Sequence, residues 1–319
     1  MRVRFEGTAG AAGWPEAGCP CASCARLPEG ARAPARIVVD GRPLTGGPVV
    51  SGTRRLLYAP DGAADGFAPV EAFDLVVLRL DGAPERLAGL RRRGAVGEST
   101  DVVVVGIDHR VPSEEELARR LGFWGARTVP DGTVVDLDRP APRRPPVPRR
   151  TLLLGGSRSG KSAEAELRLA AEPAVTYVAT GPSGAGDGEW AARVRAHRER
   201  WPPHWETLES TDLASVIAHA RTPLLIDGLG TWVAAVFDEL GAWEGGREGV
   251  HARCDDLVAA WRRARVRVVA VSDEVGMGVV PATASGRAFR DVLGRLNARL
   301  AAESESVALV VAGRVLPLP

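Results

Sequence analysis

Gly155-Gly156-Ser157-Arg158-Ser159-Gly160-Lys161-Ser162 follows the apolar run Thr151–Leu154 and opens a helix-forming stretch, Ser162 to Ala171. It matches G-x-x-x-x-G-K-[ST] in the strand, loop, helix context that a phosphate-binding loop requires. Glycines let the backbone curl so that its N–H groups and the following helix N-terminus face an anion. Lys161 is placed to reach the outer phosphates of a nucleotide and Ser162 to offer its hydroxyl to Mg²⁺. Of 41 basic side chains Lys161 is the only lysine, and all others are arginine. A compact ammonium fits between phosphate oxygens where a planar guanidinium does not, so the position of that single lysine points to the same function.

Outward from the loop, short apolar runs at Thr151–Leu154, Val175–Ala179, Leu224–Ile226, Val266–Val271 and Val307–Ala312 read as buried strands. Helix-like stretches separate them at 162–171, 189–201, 213–220, 253–263 and 288–302. This alternation predicts an α/β fold, a P-loop NTPase (RecA-like) domain with a parallel sheet covered on both faces, and ligands beyond the carboxyl ends of the strands. Such a site needs an acid at the end of a second apolar strand to hold the magnesium shell, and Asp227 after Leu224-Leu225-Ile226 supplies it. The alternative for Asp227 is a cap on the next helix.

In the stretch Trp190 to Trp201, positions 190, 194, 197 and 201 share one helical face, which puts His197 among apolar residues. A core histidine is the plain interpretation. The flanking Arg195, Arg198 and Arg200 suggest another: a neutral imidazole can attack a nucleotide's α-phosphate and carry the nucleotidyl group as a phosphoramidate, with arginines spreading the developing charge.

Residues Arg139–Arg150, RPAPRRPPVPRR, cannot bury a core and read as an extended connector, dividing the chain into 1–138, a linker at 139–150, and 151–319. The first part is richer in strands, at 35–40, 55–59, 75–80, 101–107 and 133–137, with one helix from Ser113 to Leu121 opened by a Ser113/Glu116 capping box. The 319 residues suffice for two cores, and 41 basic against 40 acidic side chains give no reason to expect nucleic acid as partner. No run approaches the ~20 apolar residues of a membrane span, and the start lacks a signal peptide, so a cytoplasmic location is expected. In a reducing compartment Cys19, Cys21 and Cys24 suggest metal more than disulfides, and Cys254 an inert thiol. His109 is the best fourth ligand for one structural Zn²⁺; the alternative is three small buried thiols.

GGSRSGKS, VTYVATG, AARVRAHRERWPPHWETLE, LLIDGLGTWV, VSDEVGMGVVP and FRDVLGRLNARLA occur in this order. Together they resemble the bifunctional adenosylcobinamide kinase/adenosylcobinamide-phosphate guanylyltransferase family over essentially all of 151–319. The resemblance implies phosphorylation of adenosylcobinamide with ATP or GTP, then transfer of GMP from GTP to give adenosylcobinamide-GDP, in a homo-oligomer. It makes His197 the guanylylated residue and Gly155, Gly156, Ser157, Arg158, Ser159, Gly160, Lys161 and Ser162 the triphosphate site. Ala179, Thr180 and Gly181 then border the nucleotide, and Arg198, Glu199, Arg200, Trp201, Glu209 and Asp227 contact GTP. The segment Asp273–Gly278 is expected near the cobinamide. Gly184, Gly186 and Gly188 depart from the family's more acidic, less flexible approach to the His197 helix. A P-loop kinase or ATPase for another substrate would explain Lys161 and Asp227 but leave His197 and Asp273–Gly278 without purpose.

GTAGAAGWPEAGCPCASC and the strands after it give residues 1–138 a weaker resemblance to a reduced, smaller α+β metallo-beta-lactamase-like domain. The H-x-H-x-D-H cluster of such hydrolases is missing where Leu75–Gly82 leads into Ala83-Pro84-Glu85. Loss of hydrolase activity is therefore expected.

Overall fold

The computed structural model describes residues 1–60, 71–79, 83–142, 145–180 and 202–319. The chain forms two compact units, Met1–Val147 with Ala170–Pro173, and Pro148–Leu169 with Ala174–Pro319. Their division after Val147 falls inside the expected linker. The last linker residue, Arg150, already belongs to a strand, paired in register with Val268, and its backbone N–H and guanidinium both bind the Glu305 carboxylate, at 2.7 Å each. Among the described residues no helix is long and apolar enough to cross a membrane.

In the first unit, β1 (Arg2–Gly7), β2 (Arg36–Val39), β3 (Arg42–Leu44) and β8 (Val134–Asp136) form an antiparallel sheet in the order β3-β2-β1-β8. A second sheet, β4-β5-β6-β7, joins β4 (Gly47–Ser51) antiparallel to β5 (Arg54–Ala59), with β6 (Leu75–Arg79) and β7 (Asp101–Val105) parallel to β5. Val3, Phe5, Ile37, Leu56, Leu75, Val77, Val103 and Val105 pack both sheets into one core. Two helices, α1 (Ala83–Arg92) and α2 (Glu114–Phe123), complete it. Half of the expected capping box forms: the Ser113 hydroxyl accepts from the Glu116 N–H at 3.2 Å, while the Glu116 carboxylate pairs with Arg119 and Arg120. Sequence reading missed β1, β3, β4 and α1. Strand β1, at Arg2–Gly7, alternates exposed and buried side chains.

The second unit is built on a seven-stranded sheet in the order β11-β10-β12-β13-β9-β14-β15. Its strands are β9 (Arg150–Gly155), β10 (Val175–Ala179), β11 (Trp205–Glu209), β12 (Leu224–Asp227), β13 (Val268–Asp273), β14 (Ser306–Val311) and β15 (Arg314–Leu318). All pairings are parallel except the β14–β15 hairpin. The described helices are α3 (Lys161–Leu169), α4 (Leu213–His219), α5 (Leu229–Glu239), α6 (Glu248–Arg262) and α7 (Ala284–Ala302). Strand side chains alternate between the faces as their period of two requires. Leu152, Leu154, Ile226, Val268 and Ala270 meet α4 to α7, whereas Leu153, Leu225, Val269 and Val271 meet α3. Burial on both faces is why these strands are unbroken apolar runs. The expected strand at 266–271 lies at 268–273, since its pairing with β9 continues through Ser272 to Asp273. The expected helix at 189–201 lies outside the described residues. Strands β11 and β15 and helix α5 were not foreseen.

Candidate functional site

Gly155 ends β9 beside β14, and a Cβ there would stand 2.6 Å from both the Val310 carbonyl oxygen and Ser159 Oγ. Only glycine lets the loop leave the sheet along this path. The loop then passes through left-handed backbone at Arg158 (φ 57°) and Gly160 (φ 98°) before α3 begins. It is tied down from outside and within: the Gly313 N–H donates to the Ser159 carbonyl at 2.7 Å, and the Ser159 N–H to the Gly156 carbonyl at 3.2 Å. Gly156, Ser157 and Arg158 are exposed.

Lys161 begins α3, and its Nζ donates to the Gly156 carbonyl at 3.0 Å and pairs with Asp273 Oδ1 at 2.9 Å. Ser162 Oγ donates to Asp227 Oδ1 at 3.0 Å, and the Tyr177 hydroxyl donates to Asp227 Oδ2 at 3.1 Å. The ends of β9, β12 and β13 thus bring Lys161, Ser162, Asp227 and Asp273 to one edge of the sheet. Asp227 does not cap the next helix. The N-cap of α5 is Gly228 at φ 108°, which offers no side chain, and the Asp227 carboxylate turns to Ser162 and Tyr177 instead.

Ala179 closes β10, in register with Asp227 on one side and Glu209 on the other. Thr180 follows it and is fully buried; its hydroxyl donates to the Gly228 carbonyl at 2.8 Å, fixing the turn after β12. Glu209 is exposed at the end of edge strand β11. Gly181, His197, Arg198, Glu199, Arg200 and Trp201 lie outside the described residues. Beyond Asp273, the Glu274 N–H donates to the Gly155 carbonyl at 3.3 Å, and Val275–Met277 form a 3₁₀ turn whose Gly276 N–H is accepted by the Glu274 carboxylate. Met277, Val279 and Val280 after it are exposed.

Sequence reasoning missed Tyr177 and the contact of Lys161 with Asp273. For Asp273 a signal was present: like Asp227, it is the first acid after an apolar strand. In the first unit, Cys19, Cys21, Cys24 and His109 converge, their ligand atoms all within 4.8 Å of one another. Cys19 Sγ lies 3.4 Å from His109 Nδ1, which also faces Glu16 Oε2 at 3.0 Å. The Cys24 N–H directed at Cys21 Sγ lowers the Cys21 thiol to about 7, while burial pushes Cys24 up to about 11.

Residues 151–318 match the family described as cobinamide kinase / cobinamide phosphate guanyltransferase. The bifunctional adenosylcobalamin biosynthesis protein CobU of Escherichia coli (strain K12) is 36% identical over 174 residues, 51% of this chain and 95% of that one. The protein of the same name in Salmonella typhimurium is 39% identical over 174 residues, with the same coverage. The bifunctional adenosylcobalamin biosynthesis protein CobP of Pseudomonas aeruginosa is 41% identical over 177 residues, 53% of this chain and 96% of that one. The match runs through the phosphate loop and the strand ends carrying Asp227 and Asp273. The chain therefore belongs to the cobinamide kinase / cobinamide phosphate guanyltransferase family.

Proposed function

We propose that residues 151–319 phosphorylate the aminopropanol hydroxyl of adenosylcobinamide with ATP or GTP. They then transfer GMP from GTP through a guanylylated His197, giving adenosylcobinamide-GDP and pyrophosphate. The observation that carries this is the meeting of Lys161 and Ser162 of the phosphate loop with the strand-end carboxylates Asp273 and Asp227, in a chain of this family. Gly155 to Ser162 hold the triphosphate, with Lys161 on its outer oxygens. Ala179, Thr180, Gly181, Arg198, Glu199, Arg200, Trp201, Glu209 and Asp227 border the nucleotide, and Asp273–Gly278 lies toward the corrinoid. Ser159 Oγ, buried and without a hydrogen-bond partner among the described residues, is a donor suited to a phosphate oxygen.

A hydroxyl and a carboxylate oxygen 3.0 Å apart form the hard oxygen set that Mg²⁺ prefers, so Ser162 and Asp227 fit that ion. Bound there with the nucleotide, Mg²⁺ neutralises charge on the phosphates. His197 serves as nucleophile, dividing one nucleotidyl transfer into two easier ones. The same family membership supports a homo-oligomer.

For the first unit we propose a reduced metallo-beta-lactamase-like domain without hydrolase activity, ending at residue 138 and followed by a linker over 139–150. Two sheets sharing one core support the fold, and a dinuclear centre needs several histidines where residues 1–138 contain only His109. Cys19, Cys21, Cys24 and His109 supply three sulfurs and one nitrogen, the donors of a closed structural zinc site.

Incubating the full chain with Mg²⁺ and GTP labelled on its α-phosphate, then denaturing it, tests the central reading. Acid-labile label on the wild type and none on His197→Ala supports guanylyl transfer. No label on either protein removes the covalent step and leaves a kinase or an unrelated P-loop enzyme.

A further inference from the structure

Asp273 stands at the end of β13, in register with Gly155 of β9, and so beside the root of the phosphate loop. Its backbone is clamped. The Asn297 Nδ2 donates to its carbonyl at 3.0 Å, the Ser272 hydroxyl donates to Asn297 Oδ1 at 2.6 Å, and the next N–H holds the Gly155 carbonyl. Asn297 is itself buried, so β13, α7 and the loop are locked together at this point. The Asp273 side chain is treated differently: it keeps 41% of its surface exposed while Oδ1 meets Lys161 Nζ at 2.9 Å. Helix α5 leaves room for it with Gly230, where a Cβ would stand 2.7 Å from Oδ2.

The contrast with Asp227 is informative. Both oxygens of Asp227 accept hydroxyl hydrogen bonds from residues of the site, whereas Asp273 is rigidly based, accessible and adjacent to the ammonium that grips the outer phosphates. With Lys161 Nζ within hydrogen-bond distance of both, Asp273 Oδ1 and a γ-phosphate oxygen lie no more than roughly 6 Å apart, near enough for one acceptor hydroxyl to reach both.

We infer that Asp273 is a catalytic residue of the phosphorylation step, taking the proton of the acceptor hydroxyl. This inference rests on the function proposed above. The acceptor O–H bond breaks as its proton passes to an Asp273 oxygen. That acceptor oxygen bonds to the γ-phosphorus, and the bond from the γ-phosphorus to the β,γ-bridging oxygen breaks, releasing ADP or GDP. The proton then leaves to solvent. In phosphoryl transfer such a carboxylate orients the nucleophile and accepts its proton. The second reaction has no such requirement, because its acceptor is a phosphate monoester, already an anion with no proton to give up.

The test compares wild type, Asp273→Asn and Asp273→Glu as full chains with Mg²⁺. It measures kcat and KM for adenosylcobinamide phosphorylation, GTP binding, and transfer of α-labelled GMP to adenosylcobinamide phosphate supplied ready-made. Asp273→Asn should lose about 10²–10⁴-fold in phosphorylation kcat, the range of general-base assistance, with Asp273→Glu recovering part of it. Guanylyl transfer and GTP affinity should fall by at least about tenfold less than the phosphorylation kcat does. If Asp273 only steadies Lys161, GTP affinity and both reactions will fall together, which overturns the inference. Undiminished phosphorylation by Asp273→Asn overturns it as well and leaves the proposed function standing. A wild type that phosphorylates no adenosylcobinamide overturns both.

Discussion

Gly155→Ala puts the loop geometry to a quantitative test. The added Cβ would lie 2.6 Å from Ser159 Oγ and 2.6 Å from the Val310 carbonyl oxygen, where ordinary contact begins at 3.4 Å. The serine hydroxyl can rotate away. The carbonyl cannot, because it belongs to β14, whose Val310 is paired in register with residue 155. Relief therefore requires a displacement of about 0.8 Å, the difference between 3.4 and 2.6 Å. Forcing a methyl into packed structure costs about 1–3 kcal/mol. Displacing the reacting phosphate by about 1 Å costs on the order of 10²-fold in rate. Urea denaturation should show the stability loss, calorimetric titration with GTP a weakened affinity, and turnover assays the rate loss. Because the serine hydroxyl can move by itself, adding Ser159→Ala should recover little of the stability loss, which stays with the Val310 carbonyl. A Gly155→Ala protein with wild-type unfolding midpoint, GTP affinity and turnover would refute the claim that this contact shapes the loop.

Other consequences can be measured independently. Arg168 and Glu164 form a buried pair on α3 at 2.8 Å, so Arg168→Met, which removes the buried cation facing that carboxylate, should destabilise by about 3–5 kcal/mol in urea titrations. Adding Glu164→Leu should restore most of the loss, and a single variant as stable as wild type would contradict the pairing. Burial raises the Cys254 thiol from the ordinary 9.0 to about 11. The unfolded thiol ionises first as pH rises, so this contribution is intact below pH 9 and is lost between pH 9 and 11. It amounts to on the order of 2–3 kcal/mol. Cys254→Ala should flatten the corresponding difference in stability curves, and parallel curves for both proteins would count against it. Elemental analysis of the purified full chain should find one zinc per chain, lost in a Cys19→Ser/Cys21→Ser double variant; a metal-free wild type would leave three thiols and an imidazole with a packing role.

The sequence exposed those parts of the second unit whose burial is two-sided. Val175–Ala179 was bounded to the residue and Leu224–Ile226 nearly so, because a parallel strand covered on both faces is one continuous apolar run. Edge strand β11, Trp-Glu-Thr-Leu-Glu, buries only Trp205, and β15 contains Pro317, so neither carries that signature. Helix α5 was hidden for the opposite reason: with Leu229, Trp232, Val233, Val236 and Phe237 all buried, it shows little polar face to set a helical period. Lys161, Ser162 and Asp227 were legible because a local motif and a strand end fix their places in the fold. Tyr177 was not, since its partnership with Asp227 depends on β10 lying next to β12, a matter of sheet order that no local pattern encodes.

Sheet order also explains how the site is held ready. Two groups expected to meet substrate have internal partners: Lys161 has the Gly156 carbonyl and Asp273, and Ser162 has Asp227. These partners differ in how readily they yield. A partly exposed ion pair such as Lys161 with Asp273 contributes only about 0–1 kcal/mol and does not hold the ammonium back, so Lys161 can turn from the Gly156 carbonyl to the charge-assisted bonds of a triphosphate while Asp273 stays beside it. A hydrogen bond to a charged group, as from Ser162 to Asp227, contributes about 1.5–3 kcal/mol. A cation held by Ser162 and Asp227 would cost that bond, while the Tyr177 hydroxyl would still orient the other carboxylate oxygen. Mg²⁺ alone should therefore bind weakly and Mg²⁺ with nucleotide tightly, since the phosphates return what the broken bond costs. Tyr177→Phe, by freeing the Asp227 carboxylate to rotate, should raise the Mg²⁺ concentration needed for half-maximal turnover by up to about 10–100-fold while leaving Mg²⁺-free nucleotide binding unchanged. An unaltered Mg²⁺ requirement in that variant would show that Tyr177 does not orient the metal-side carboxylate.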